Sequence, residues 1–101
     1  MTLLTKQYAK PNIATVDMPA PGDIVIDVRH PQEAADSPLE LNFNEVILIP
    51  FFNLAAQLSE LDNMPTYLIY CDKGIMSRLQ ANIMRDHGFK NVGIMNRLKS
   101  G

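Results

Sequence analysis

Four short apolar runs constrain this chain more than any other feature. They are Ile24-Val25-Ile26-Asp27-Val28, Val46-Ile47-Leu48-Ile49, Tyr67-Leu68-Ile69-Tyr70 and Val92-Gly93-Ile94-Met95. Runs of this length and composition read as strands buried on both faces. The segments between them have helical character. Pro31 suits the first turn of a short helix over Pro31 to Ala35, with Glu33 near its positive end. Leu54, Leu58 and Leu61 recur at helical spacing and predict an amphipathic helix from about Asn53 to Leu61. Beyond the third run, Ser77 is a candidate helix N-cap, and Leu79, Ile83 and Met84 form an apolar stripe opposite Arg78, Asn82 and Arg85. Gly88 closes that helix as its C′ residue. Strands alternating with helices through short connections imply an α/β domain with a central parallel sheet covered on both faces. Ile13 to Val16 could add an edge strand, for about five strands in all. Residues 1–22 thus read as an N-terminal tail, edge strand or linker, 23–97 as the domain, and 98–101 as a C-terminal tail.

A chain of 101 residues, 47% of them hydrophobic, suits one domain with one core. Its net charge of -2 argues against this domain gripping nucleic acid directly, because phosphate binding needs a dense cationic face. No stretch approaches the ~20 apolar residues that span a bilayer, and the N-terminus carries no signal-peptide core. The single cysteine cannot form an internal disulfide. The expectation is a cytoplasmic chain with a free thiol and no membrane contact. One cysteine and two scattered histidines offer no metal site.

That cysteine, Cys71, stands at the carboxyl end of the third run, where open parallel sheets bind their ligands. The loop Asp72-Lys73-Gly74-Ile75-Met76-Ser77 follows it and leads into a helix. A loop wrapped there can turn backbone N–H groups inward as an anion-binding nest, in which a thiolate is stabilised. Gly74 supplies the backbone freedom such a loop demands, and Lys73 adds positive charge. A lone cysteine is otherwise a small buried hydrophobe. Phosphatases share the strand–Cys–loop–helix arrangement, but they need an arginine six residues after the cysteine to clamp a phosphoryl group. Ser77 holds that position here. Arg78 comes one residue later, about 100° further around the helix axis, which disfavours phosphatase chemistry.

The loop from Cys71 to Ser77 resembles the active-site loop of rhodanese domains, with glycine three residues after the cysteine. Asp27-Val28-Arg29 resembles that family's Asp-Val-Arg signature, and Gly88-Phe89-Lys90-Asn91-Val92 is similar to the segment after the loop's helix. The three blocks stand in the family's order and cover roughly Asp23 to Ile94. Gly74-Ile75-Met76-Ser77-Arg78-Leu79-Gln80-Ala81 resembles one branch more closely, the C-terminal rhodanese domain of ThiI-type tRNA 4-thiouridine synthetases. Pro50-Phe51-Phe52 and Asp36-Ser37-Pro38-Leu39 look like that branch too. Many rhodanese domains carry a Gly-His-Ile-Pro-Gly-Ala motif where this chain has Leu39 to Glu45, a departure that fits the ThiI-like branch.

The resemblance implies a small three-layer rhodanese fold and a sulfurtransferase that needs no cofactor. Cys71 would be the nucleophile, accepting sulfane sulfur from a cysteine desulfurase and holding it as a persulfide. The acceptor would be a tRNA-modifying or thiazole-synthesis protein, serving 4-thiouridine formation or thiamine biosynthesis. Members of the branch carry tRNA-binding and adenylating domains that 101 residues cannot hold, so the expectation is either a fragment or a freestanding version. Backbone amides from Asp72 to Ser77 would cradle the terminal sulfur as it gains charge. Lys73 would attract an anionic donor unless it is simply solvated. Met76, apolar at a loop position often cationic, would disfavour thiosulfate, a dianion. Ser77 would cap the helix or, alternatively, donate a proton. Asp27 and Arg29 would brace the loop as an ion pair, with Arg78 in support. His30 and His87 invite a Cys–His dyad, but His87 falls roughly 15 Å along the helix from the loop. Two other functions remain open: a single-domain thiosulfate sulfurtransferase acting on small thiophilic acceptors, and a non-catalytic rhodanese-like interaction module.

Overall fold

The computed structural model describes residues 13–72 and 74–96. Residues 1–12 of the N-terminal segment expected at 1–22, Lys73, Arg97 and the tail expected at 98–101 lie outside the described residues. Five strands run in order through the described residues: β1 (Thr15–Val16), β2 (Ile24–Asp27), β3 (Val46–Leu48), β4 (Tyr67–Tyr70) and β5 (Val92–Met95). All pair in parallel in one sheet of order β1-β5-β4-β2-β3. β4 lies at its centre, with Ile24 opposite Tyr67 on one side and Tyr67 opposite Val92 on the other. Its four residues are all buried, which is why this run shows no polar alternation.

β3 is an edge strand rather than the doubly buried strand expected. It has β2 as its one neighbour, Val46 and Ile47 are half-buried, and Leu48 is 46% exposed. An apolar run reports burial of side chains, and an edge position halves the neighbours that supply it.

Helices α1 (Pro31–Asp36), α2 (Leu54–Gln57) and α3 (Ile75–Asp86) fill the connections. α2 is shorter than its leucine spacing predicts, because it tightens into a 3-10 turn over Leu58–Glu60. The spacing still reads the packing: Leu54 and Leu58 are buried and Leu61 is half-buried. α3 ends in a Schellman motif. The Gly88 N–H donates to the Arg85 carbonyl at 3.0 Å and the Phe89 N–H to the Met84 carbonyl at 3.1 Å, with Gly88 at φ +96° as the C′ residue.

Two expectations for α3 are corrected. The helix starts at Ile75, so Ser77 is its third residue, and the N-cap is Gly74 in the left-handed region. The buried face is Ser77, Gln80, Ala81 and Met84, whereas Leu79 is 53% exposed. Small Ser77 and Ala81, both fully buried, let α3 lie close against the sheet, and that rotation turns Leu79 outward.

Side-chain alternation gives the sheet two apolar faces. Ile26, Ile69 and Ile94 join Leu54, Leu58, Ala81, Met84 and Cys71 on the face covered by α2 and α3. Val25, Leu68, Tyr70 and Met95 form the other, packed by Leu39 and Leu41 from the segment after α1. No described helix is long and apolar enough to cross a membrane.

Candidate active site

The carboxyl ends of β2, β3 and β4 are laced together at one edge of the sheet. The Val28 N–H donates to the Tyr70 carbonyl at 3.0 Å, Ile49 N–H to Asp27 at 3.0 Å, and Phe51 N–H to Val28 at 2.9 Å. The residue leaving β4 at that edge is Cys71, which is 7% exposed and shares the helix-covered face with Ile69.

The Cys71 sulfur accepts two backbone hydrogen bonds, from the Gly74 N–H at 3.1 Å and the Ser77 N–H at 3.2 Å. A helix leaves its first N–H groups without intrahelical partners, and a side-chain oxygen ordinarily takes one of them. At α3 the sulfur takes that place. This explains why Ser77 is not the cap: its hydroxyl donates instead to the Gly74 carbonyl at 3.1 Å, steadying the loop. Gly74 adopts φ +79° to aim its N–H inward. The result is a sulfur held at the positive end of a 12-residue helix, where negative charge on it is stabilised.

The Cys71 sulfur opens onto a cleft of about 320 Å³ lined by Val28, Arg29, Glu33, Phe51, Asp72, Ile75 and Met76. Arg29 is almost entirely committed to Asp27. Its Nε donates to Oδ1 at 3.0 Å and its Nη2 to Oδ2 at 2.8 Å, while its own backbone N–H donates to Oδ1 at 3.1 Å. Both side chains are 4% exposed. The guanidinium also lies over the Tyr70 ring, 5.1 Å from its centroid. The Asp27 hydrogen bonds hold the Arg29 guanidinium above its ordinary value, against the opposing pull of burial. Asp27 and Arg29 thus form a buried ion pair, with Arg29 at the cleft wall beside Cys71.

Other expected residues fall apart from the sulfur. Arg78 is exposed and lines a separate shallow groove with Gly74, Ile75, Leu79 and Asn82. His30 caps α1, its Nδ1 accepting the Gln32 N–H at 3.1 Å. His87 closes the far end of α3, its Nδ1 2.8 Å from the Ile83 carbonyl. Among the described residues no group of three His, Cys, Asp or Glu side chains could hold a metal ion. Three wall residues were not among the expected site residues: Val28, Glu33 and Phe51. Their signal was positional: each follows a strand whose carboxyl end lies at the ligand-binding edge.

A family model described as the rhodanese-like domain matches residues 6–97. The chain belongs to the rhodanese-like family. Among relatives of this rhodanese domain, a tRNA sulfurtransferase of Shewanella loihica is 50% identical over 80 residues, covering 79% of this chain and 16% of the relative. A tRNA sulfurtransferase of Pectobacterium carotovorum is 48% identical over 82 residues, covering 81% and 17% respectively. The chain therefore spans about a sixth of the length of the curated relatives it matches. Among solved structures, a single-domain sulfurtransferase of Saccharomyces cerevisiae superposes with a TM-score of 0.65 at 21% identity, covering 90% of this chain and 87% of that one. A NAD-dependent persulfide reductase from A. fulgidus gives 0.68 at 20% identity, covering 87% of this chain and 16% of that one. At such identities the likeness establishes the rhodanese fold.

Proposed function

We propose that this rhodanese domain is a sulfur carrier, with Cys71 taking sulfane sulfur from a cysteine desulfurase and passing it on for tRNA thiolation. The observation that carries the reading is the Cys71 sulfur itself, solvent-facing through one cleft and held by two N–H donors at a helix N-terminus. In the loading step the Cys71 thiolate attacks the outer sulfur of the donor's persulfide. The donor's S–S bond breaks, its thiolate leaves with the electron pair, and Cys71–S–SH forms. Negative charge then develops on the outer sulfur, and the Gly74 and Ser77 N–H groups beside the inner one support a loop that would stabilise it.

The tRNA context is supported by the relatives named above, and a cytosolic setting suits a thiol that must stay reduced. The domain's own charge of -2 leaves tRNA binding to other parts of the machinery. Thiazole synthesis is a second outlet for the same persulfide.

Incubation with a cysteine desulfurase and cysteine, followed by mass spectrometry without reductant, tests the reading. The expected result is a gain of one sulfur atom on Cys71, absent in Cys71→Ser. An unmodified wild-type chain would overturn it.

A further inference from the structure

The cleft above Cys71 is lined by acidic side chains as well as apolar ones. Among the described residues that line it, Glu33 and Asp72 bring carboxylates, while the guanidinium of Arg29 is paired with the buried Asp27 beneath. That guanidinium is turned to Asp27 through both of its donating nitrogens and covered by Tyr70. Glu33 lies on the first turn of α1, exposed and facing the same space. The remaining walls are apolar: Val28, Phe51, Ile75 and Met76. Of these Ile75 is 78% exposed and Phe51 36%, so the mouth of the cleft is an apolar lip.

Thiosulfate loading would require a dianion to enter this space. The Cys71 thiolate would attack its outer sulfur, the S–S bond would break, and sulfite would leave with the electron pair. Thiosulfate and the thiolate are both negative, and the Glu33 carboxylate at the cleft wall adds to their repulsion. A persulfide at the end of a protein side chain brings the same reactive sulfur with far less charge, and an apolar segment around it would cover Ile75 and Phe51.

Resting on the reading of Cys71 as a sulfur carrier, we propose that the cleft selects its donor by charge. Glu33 is the specificity-determining residue. It turns away small dianionic sulfur donors and leaves delivery to a persulfide presented on an uncharged, apolar segment of a protein.

The test compares the rate at which Cys71 gains one sulfur from thiosulfate with the rate from a desulfurase and cysteine, on the same chain, by mass spectrometry. Removing one carboxylate close to a dianion is worth about fivefold, so Glu33→Gln raises the thiosulfate-to-desulfurase ratio about fivefold and Glu33→Lys raises it further. Added salt speeds thiosulfate loading of the wild type and does so less in Glu33→Gln, because screening then has less repulsion to remove. Glu60→Gln makes the same change of net charge on the 3-10 turn Leu58–Glu60, outside the cleft, and keeps the wild-type ratio. Unchanged ratios in both Glu33 variants, with desulfurase loading intact, would overturn the charge selection alone. So would a wild type that loads from thiosulfate as fast as from the desulfurase. No loading of Cys71 from either donor would overturn the sulfur-carrier reading and the selection with it.

Discussion

Gly74 shows what a single residue contributes to this site. At φ +79° its backbone occupies a region that costs an L residue about 1–2 kcal/mol. A Cβ at that position would meet nothing within 4 Å, so alanine fits in space and its whole cost is conformational. Gly74→Ala is therefore expected to lose about 1–2 kcal/mol in urea unfolding. Relief of that strain would swing the N–H away from the sulfur. Sulfur loading of Cys71 should then slow about fivefold, the worth of one modest hydrogen bond. An alanine variant as stable and as fast as the wild type would show that the loop does not need the left-handed turn. Gly74 was legible in sequence because a strand-to-helix loop around an anion calls for such freedom. The role of Ser77 was not. Capping preferences assume a donor-seeking oxygen beside the helix start, whereas the atom that caps α3 is a sulfur six residues before Ser77.

Among the elements, β4 leads into Cys71, and its first residue, Tyr67, anchors the strand's far end. The Tyr67 hydroxyl donates to the Asp62 carbonyl at 2.6 Å, and its ring meets Phe89 edge-on at 5.9 Å between centroids. Burial, then the charges of Asp62 and Glu45, raise its phenol above the ordinary value of about 10. A raised folded value means the folded state holds the proton longer than the unfolded chain. The resulting stability is fully present below pH ~10 and is lost as pH climbs through the folded value. Tyr67→Phe should be weaker at neutral pH by about 1 kcal/mol, through the lost hydrogen bond. It should also lack this alkaline loss, so the two stability curves converge above pH ~10. Curves that stay parallel would remove Tyr67 from the alkaline response. Elements of this kind were readable where the signal was local. Tyr67–Tyr70 and Val92–Met95 have the bounds their apolar runs predict, and Gly88 ends α3 as its position implies. The rotation of α3 was not readable, because Leu79 is more apolar than Ser77 and only close approach to the sheet favours the smaller side chain.

At the scale of the whole molecule, sheet order decides what is rigid. β4 and β2 are flanked on both sides, while β1 and β3 each have one neighbour and β1 has two residues. Native-state hydrogen exchange should find its slowest strand amides in Tyr67–Tyr70 and Ile24–Asp27, and its fastest in Thr15–Val16 and Val46–Leu48. Equal protection across all five strands would contradict that order. The parallel α/β architecture could be read from the alternation of runs and helices. Which runs lie at the edges could not, because hydrophobic periodicity records burial and carries no information about neighbours. Finally, the chain has one cysteine. On the sulfur-carrier reading, a loaded Cys71 has no second thiol in this chain to attack its persulfide, so no internal disulfide can discharge it. Within these 101 residues its capacity is one sulfur atom, and discharge needs a group from outside them. At saturating donor the loaded form of this domain is therefore the one that accumulates until such a group reaches it.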